Sequence, residues 1–576
     1  MIYMRRHLGA ILFCLFLVVT ESIIVTLIPR YTGLIINEGI LKSDLKQVYA
    51  YGFRILLLGF TALAIGAWAR PFGSKIAHQI AGEIRQDYYA KIQTLSFEEL
   101  DRLAVSAMIS KMTRDIDRIT VSLRLFLVMI PRLPISIFVA LFIEWQINRQ
   151  LTLIFLISFI PLTLFGTYLF IREMTKRIQA MRKSADRLDA RVKENFLSAQ
   201  EVKNYVREGF EIQKFEGNNQ DLWEKDWDIM RLFAVIMPMP KLLITGVVIL
   251  ILFVGTRFVL NEQMLLGDLQ TFMTYTTQIM MSVMGSAMII HQLYMGVVMM
   301  GRVNEVFEAK SEEDPGKLTT ISNYDLEFSN VSFTYQGLKS PVLKDISFKV
   351  PAGSSLAIIG ETGSGKSSLV QLIPRLYEIN SGSILIGNTP IQEYSLKTLR
   401  DHCDIILQQN TLFSGTIREN LQWGDADASD EEIEAALKLA DAWEFVQKKE
   451  GGLEAKVEQE GTNFSGGQRQ RLCITRSLLK KPNIMVFDDC FSALDMETGR
   501  EILRNMATMH KSAHGPDKAP VTRIIISQRI ENIKDADQIL VLNRGQISGL
   551  GTHQELYETN DIYRSICTSQ QMGLAV

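Results

Sequence analysis

The stretch Gly360-Glu-Thr-Gly363-Ser-Gly365-Lys366-Ser367 lies between an apolar run, Leu356–Ile359, and a helix-like run, Ser368–Ile373, that Pro374 closes. The order predicts strand, loop and helix. Glycines in such a loop let backbone N–H groups turn toward one point, and the N-terminus of the following helix adds a partial positive charge there. That combination cradles phosphate oxygens. Lys366 is placed to reach the β- and γ-phosphates of a nucleotide and Ser367 to ligate Mg²⁺. Gly360, Gly363, Gly365 and Ser368 complete the cradle.

Two further motifs flank this loop in the second half of the chain. Ile484-Met-Val-Phe487 reads as a buried strand and ends in Asp488, a carboxylate suited to a Mg²⁺ ion beside a phosphate loop. Phe464-Ser465-Gly466-Gly467-Gln468 leads into a helix, and Ser465 and Gln468 have the spacing of a capping box. Val331, Phe333 and Tyr335 alternate as in a strand. A short polar linker, SEEDPGK at 311–317, precedes this half.

The first half has another character. Six apolar stretches of spanning length fall near 8–28, 48–69, 125–143, 151–171, 232–254 and 269–300. Mean hydropathy of +0.11 beside 22% charged residues is therefore an average over two unlike halves. The net charge of −2 argues against bulk binding of nucleic acid, and the 47% hydrophobic share argues against disorder. Five scattered cysteines form neither a disulfide framework nor a zinc site. The first stretch is full length and lacks the small residues of a cleavage site, so no cleavable leader is expected.

Basic residues orient the spans. Lys and Arg crowd 70–124 and 172–231, which predicts a cytoplasmic N-terminus and a cytoplasmic second half. These two long stretches read as helices that leave the membrane, turn near Phe97–Leu103 and Val206–Phe215, and return. Ionisable residues inside the spans are Glu21, Arg54, Arg132, Lys241 and His291. Each is either a substrate contact or a paired or snorkelling group. The last span is rich in Met, from Met273 to Met299, which suits either a polyspecific surface or ordinary packing. Pro131, Pro134, Pro238 and Pro240 predict kinks.

The phosphate loop, Ser465-Gly-Gly-Gln468 and Asp488 together resemble the ATP-binding cassette family. With six spans in front, the whole chain resembles an exporter-type half-transporter. The resemblance implies an all-α six-helix transmembrane domain at 1–310, a linker at 311–320 and an α/β P-loop nucleotide-binding domain at 321–576. It implies a dimer in a membrane, with two ATP molecules held between the phosphate loop of one chain and the Ser-Gly-Gly-Gln motif of the other. It also assigns Tyr335 to adenine stacking, Gln408 to sensing of Mg²⁺ and water, and Ser492-Ala-Leu-Asp495 to contacts across the dimer. The two cytoplasmic turns match the family's coupling helices.

Two positions depart from the family pattern. After Asp488 the family carries Glu as base or water-positioning group; this chain has Asp489. One methylene fewer withdraws the carboxylate by about 1.5 Å, and a shift of about 1 Å can cost about 10²-fold in rate. The family's switch histidine is Gln528 here. Phe464 replaces a usual Leu, but the signature itself is kept. The pattern resembles the degenerate-site subunit of bacterial heterodimeric multidrug exporters. It implies a partner half-transporter with the missing Glu and His, a hydrophobic small-molecule substrate, a bacterial plasma membrane and no nucleic acid. A lipid or peptide exporter with the same engine stays open, as does an ATP-gated channel or scaffold that does not pump.

Overall fold

The computed structural model describes residues 2–236, 238–408, 411–512 and 521–573. They divide into two compact units: Met1–Ile92 with Ser106–Glu308, and Gln93–Val105 with Ala309–Val576.

The first unit is predominantly helical among the described residues. Its main helices are α1 (Leu8–Leu34), α2 (Leu45–Gln93), α4 (Ile116–Val128), α5 (Arg132–Ile147), α6 (Arg149–Leu197), α7 (Glu208–Ile236), α8 (Pro238–Leu260) and α9 (Leu266–Glu308). The short helix α3 (Phe97–Leu103) belongs to the second unit. Hydroxyls in α1 bond back into their own helix: Ser22 to the Val18 carbonyl at 2.7 Å, and Thr26 to Ser22 at 2.8 Å. This satisfies polar groups where water is absent. One face of α1 is buried, including Ile11, Cys14, Val18, Ser22 and Thr26.

Where α1 meets α9 the backbones touch. A Cβ on Gly267 would stand 2.2 Å from the Gly33 carbonyl oxygen, and one on Gly33 would stand 2.1 Å from Thr271 Oγ1. The contact is locked by polar groups. Asn37 accepts from the Gly267 amide at 2.7 Å and donates to Asp268 at 3.0 Å, and the Tyr275 hydroxyl donates to the Thr26 carbonyl at 2.7 Å.

Among the described residues, five helical runs are long and apolar enough to cross a membrane: Leu8–Ile40, Leu45–Gln93, Val105–Ile147, Lys241–Leu260 and Leu266–Glu308. The expected stretch at 151–171 lies on α6, and several of its side chains fall outside the described set, as do those of Pro240 and Met288. The third run is interrupted at 129–131, where Pro131 stands, and α8 begins at Pro238. The second cytoplasmic turn falls at the start of the expected 206–215 stretch and is shorter than it. It occupies 205–207, and residues 208–215 are already helix. Val206 takes a φ of 53° there. A β-branched residue is a poor choice for that conformation, so no local cue marks the turn. Beyond it, α6 and α7 are tied by Arg191 to Glu211 at 2.6 Å and Ser184 to Asp221 at 2.5 Å.

The second unit is α/β. Its strands are β1 (Leu326–Phe333), β2 (Leu343–Val350), β3 (Ser355–Ile359), β4 (Ser381–Ile386), β5 (Cys403–Ile406), β6 (Ile484–Asp488), β7 (Thr522–Ile526), β8 (Gln538–Asn543) and β9 (Gln546–Gly551). One sheet runs β9-β8-β3-β7-β6-β5 and is parallel except for β9. A second, antiparallel sheet is built on β2-β1-β4. Every residue of β3 and β6 is buried, as strands covered on both faces must be, hence their unbroken apolar runs. Parallel strands end on one edge. Ile359, Ile406, Asp488 and Ile526 therefore deliver the segments that follow them to the same place, where open α/β sheets bind ligands.

Two outcomes follow from this packing. Gly267→Ala should destabilise the membrane unit by about 1–3 kcal/mol, read as a lower unfolding midpoint in detergent or lipid. The Cys403 and Cys490 thiols are buried, and burial pushes Cys403 up to about 12 and Cys490 well above the usual thiol range. A thiol-alkylating reagent at pH 8 should leave both unlabelled in the folded protein and label them after unfolding, by mass spectrometry.

Candidate active site

The segment after β3 turns on glycines. Gly363 and Gly365 have φ of 81° and 100°, a region closed to most side chains. Gly360 is needed for close approach: a Cβ there would stand 2.1 Å from the Leu542 carbonyl oxygen of β8. Helix α10 (Lys366–Gln371) starts from Gly365. Lys366 folds back over the loop and donates to the carbonyls of Gly360 at 2.9 Å and Glu361 at 2.8 Å. An ammonium has three donors, so this cation retains capacity for a phosphate. Ser367 Oγ donates to Asp488 Oδ1 at 3.0 Å across to the end of β6.

The charges here are coupled. Lys366, Asp488 and Asp489 are each at least 90% buried. Burial lowers the Lys366 ammonium, against the opposing pull of Asp489 and Asp488. Burial likewise raises Asp488, and the charge on Asp489 adds to that rise, while Ser367 and Lys366 oppose it. Asp489 is raised by burial and held back mainly by Lys366. Asp488 and Ser367 present two hard oxygens 3.0 Å apart. That donor set fits Mg²⁺, which takes one or two protein oxygens and completes its octahedron with water and phosphate. Bound there, the ion would neutralise phosphate charge.

Asp489 leaves β6 in the left-handed region, with φ of 48°, a conformation Asp tolerates better than most residues. Its Oδ2 accepts from Gln528 Nε2 at 3.3 Å. The two departures from the family pattern therefore touch each other. Beside them, Arg529 donates to the carbonyl of Leu494 at 2.9 Å and of Ser492 at 3.3 Å, tying the segment after β7 to Ser492–Asp495. Gln408 is exposed just beyond β5.

Ser465 caps helix α11 (Gly466–Lys480). Its Oγ accepts from the Gln468 amide at 3.2 Å, and Gln468 Oε1 accepts from the Ser465 amide at 3.1 Å. Gly466 and Gly467 pack on Ala493, and a Cβ on Gly467 would stand 3.2 Å from the Ala493 carbonyl oxygen, a tight contact. Phe464 is buried under the Lys449 ammonium, which sits 3.8 Å from the ring centroid. These signature residues stand about 100 residues after the phosphate loop in the sequence.

Tyr335 leads to residues that the sequence did not flag. Its hydroxyl meets Ser368 Oγ at 2.9 Å, and its ring packs edge-on against Tyr377 at 5.2 Å. The Tyr377 hydroxyl donates to Asp101 Oδ2 of α3 at 2.6 Å, and its ring lies 6.2 Å from Phe97. Burial, and next the Asp101 bond, raise the Tyr377 phenol. A continuous set of contacts thus links Ser368 at the phosphate loop to α3. Asp101 and Tyr377 are 276 residues apart, and neither carries a local motif.

Comparison with known proteins now has a geometry to rest on. Residues 343–492 match the ABC transporter family, and residues 11–283 match the ABC transporter transmembrane region. The chain belongs to the ABC transporter family. It is 31% identical over 557 residues to the ABC transporter ATP-binding protein YfiB of Bacillus subtilis, covering 96% of this chain and 95% of YfiB. It is 30% identical over 435 residues to YheI of the same organism, a probable multidrug resistance ABC transporter ATP-binding/permease protein, covering 75% of this chain and 72% of YheI. A bacterial Atm1-family ABC exporter with ATP bound has the same fold, with a TM-score of 0.80 over 98% of this chain and 99% of that one at 23% identity. This transporter is an ATP-driven exporter half, a helical membrane domain followed by an ATP-binding domain, and half-transporters of this kind dimerise.

In the transporter, Tyr377→Phe removes one charge-assisted hydrogen bond at a partly exposed site. The expected loss is about 1 kcal/mol, seen as a small drop in unfolding midpoint together with faster amide exchange in 97–103.

Proposed function

We propose that this chain is the degenerate-site subunit of a heterodimeric exporter of hydrophobic and amphipathic compounds, a multidrug-efflux system. The observation that carries this reading is the 3.3 Å bond from Gln528 to Asp489. The position that should orient and deprotonate water holds a shortened carboxylate. The position that should contact the γ-phosphate holds an amide, which forms hydrogen bonds but takes up no proton. The phosphate loop beside them retains Lys366 and Ser367, so ATP is held while its hydrolysis is slow. Tyr335 would stack on the adenine, Gly360–Ser368 would enclose the phosphates, and Ser367, Gln408 and Asp488 would surround Mg²⁺.

The kept signature, Ser465–Gln468, supports the second half of the proposal. In this family it acts on the partner's ATP. Two copies of this chain would pair each sound signature with a weak site. A partner with Glu after its own strand-end Asp, and with His at the switch position, gives the signature a use. The multidrug assignment extends to this chain the description carried by YheI. The basic loops favour a cytoplasmic N-terminus and a cytoplasmic ATP domain.

Purified alone, the chain should bind ATP and turn it over slowly; mixed with the half-transporter encoded beside it, ATPase activity should rise strongly. Vigorous turnover by the chain alone would overturn the reading. Asp489→Glu combined with Gln528→His should raise hydrolysis at this site by about 10²-fold, and Lys366→Ala should weaken ATP binding, measured with a fluorescent nucleotide.

A further inference from the structure

Glu21 lies at the midpoint of α1, thirteen residues from either end. At 1.5 Å per residue that is about 20 Å from each. Its side chain is 6% exposed. A carboxylate at that depth requires a partner, and it has two. Arg70 Nη2 of α2 donates to Glu21 Oε1 at 3.2 Å, and Arg132 Nη1, at the start of α5, lies 3.8 Å from the same oxygen. Gly66, one turn before Arg70, makes the room: a Cβ there would stand 2.8 Å from Oε1.

Two guanidiniums on one carboxylate leave a surplus of one positive charge. No Asp or Glu lies between 45 and 82, between 118 and 143, or elsewhere within α1 to cancel it. The helix N-terminus that Arg132 opens adds to the same sign. The burial is uneven: the carboxylate is enclosed, while the Arg70 side chain is 57% exposed and that of Arg132 34% exposed. A pair made only to hold helices together needs one cation and hides it. This cluster instead holds two planar forks, one more than half exposed and the other about one-third exposed, and a fork of this kind matches carboxylate and phosphate oxygens.

We propose that Arg70 and Arg132, oriented by Glu21, hold the anionic head group, a carboxylate or phosphate, of an amphipathic compound that this exporter carries. The proposal rests on the exporter reading and names the substrate class for it. Glu21 is a positioning residue: it keeps both guanidiniums at one depth and offsets one of their charges.

The test uses the full-length chain in phosphatidylcholine nanodiscs and two probes with the same tail, a dansyl-labelled undecanoate and its trimethylammonium counterpart. Binding is read by energy transfer from tryptophan; Trp68 stands two residues before Arg70. The carboxylate probe should bind about tenfold more tightly than the cationic one. Arg70→Gln and Arg132→Gln should each erase most of that preference, and Arg132→Lys, which keeps the charge without the fork, should retain more of it than Arg132→Gln. Equal binding of the two probes overturns the proposal. So does an unchanged preference in both Gln variants at a wild-type unfolding midpoint. If Arg70→Gln fails to fold, the Arg132 pair of variants decides alone. Adding phosphatidylglycerol identifies the source: competition with the probe makes the ligand a lipid head group, and no competition makes it a free amphiphile, both within the proposal. ATP binding by the same discs reports on the exporter reading separately, so loss of probe selectivity with ATP still bound removes only this site.

Discussion

A Cβ at residue 360 would collide with the Leu542 carbonyl, 2.1 Å away. That close approach of the phosphate loop to β8 is the constraint from which the ATP domain is organised. It sets where the chain leaves β3, and the positive φ at Gly363 and Gly365 then turns it into α10. Lys366 closes the loop on itself through the carbonyls of Gly360 and Glu361. Ser367 reaches the end of the neighbouring parallel system at Asp488. Parallel pairing is what makes this reach short, because Asp488 and Ile526 are partners in register at the same edge as Ile358.

The electrostatics of that edge follow from burial. One ammonium and two carboxylates share a buried space, and burial pushes each toward its neutral form while the attraction between the ammonium and the carboxylates resists. An arriving cation and a polyanion would relieve both tendencies together. Gln528 adds nothing titratable.

Much of this was legible from consecutive residues. The strand, loop and helix around Gly360–Ser367 rest on glycine, lysine and an apolar run standing side by side. The cap at Ser465 and Gln468 rests on a spacing of three, and the spans rest on apolar runs of sufficient length. The second cytoplasmic turn is shorter than the expected 206–215, closing by 207; Val206 makes it with a φ of 53°, and Val carries no signal for that conformation that would have marked its extent. Tyr377 belongs to no motif, and Asp101, though inside the expected 97–103 turn, carries no sign of its partner; only the fold of the second unit joins them.

By itself the sequence determined the local chemistry: a phosphate loop, a strand ending in a carboxylate, a capped helix at Ser465, and an apolar half. Tertiary structure decided the partners. Glu21 could have paired with any neighbouring helix, and the structure selects Arg70 and Arg132. Asp489 and Gln528 are 39 residues apart, and it sets them in contact. The physical reason is range. Backbone conformation and burial pattern act over a few residues, so they are written in adjacent letters. A hydrogen bond or ion pair needs atoms within about 3–4 Å, and which distant residues meet that condition depends on how whole helices and strands pack.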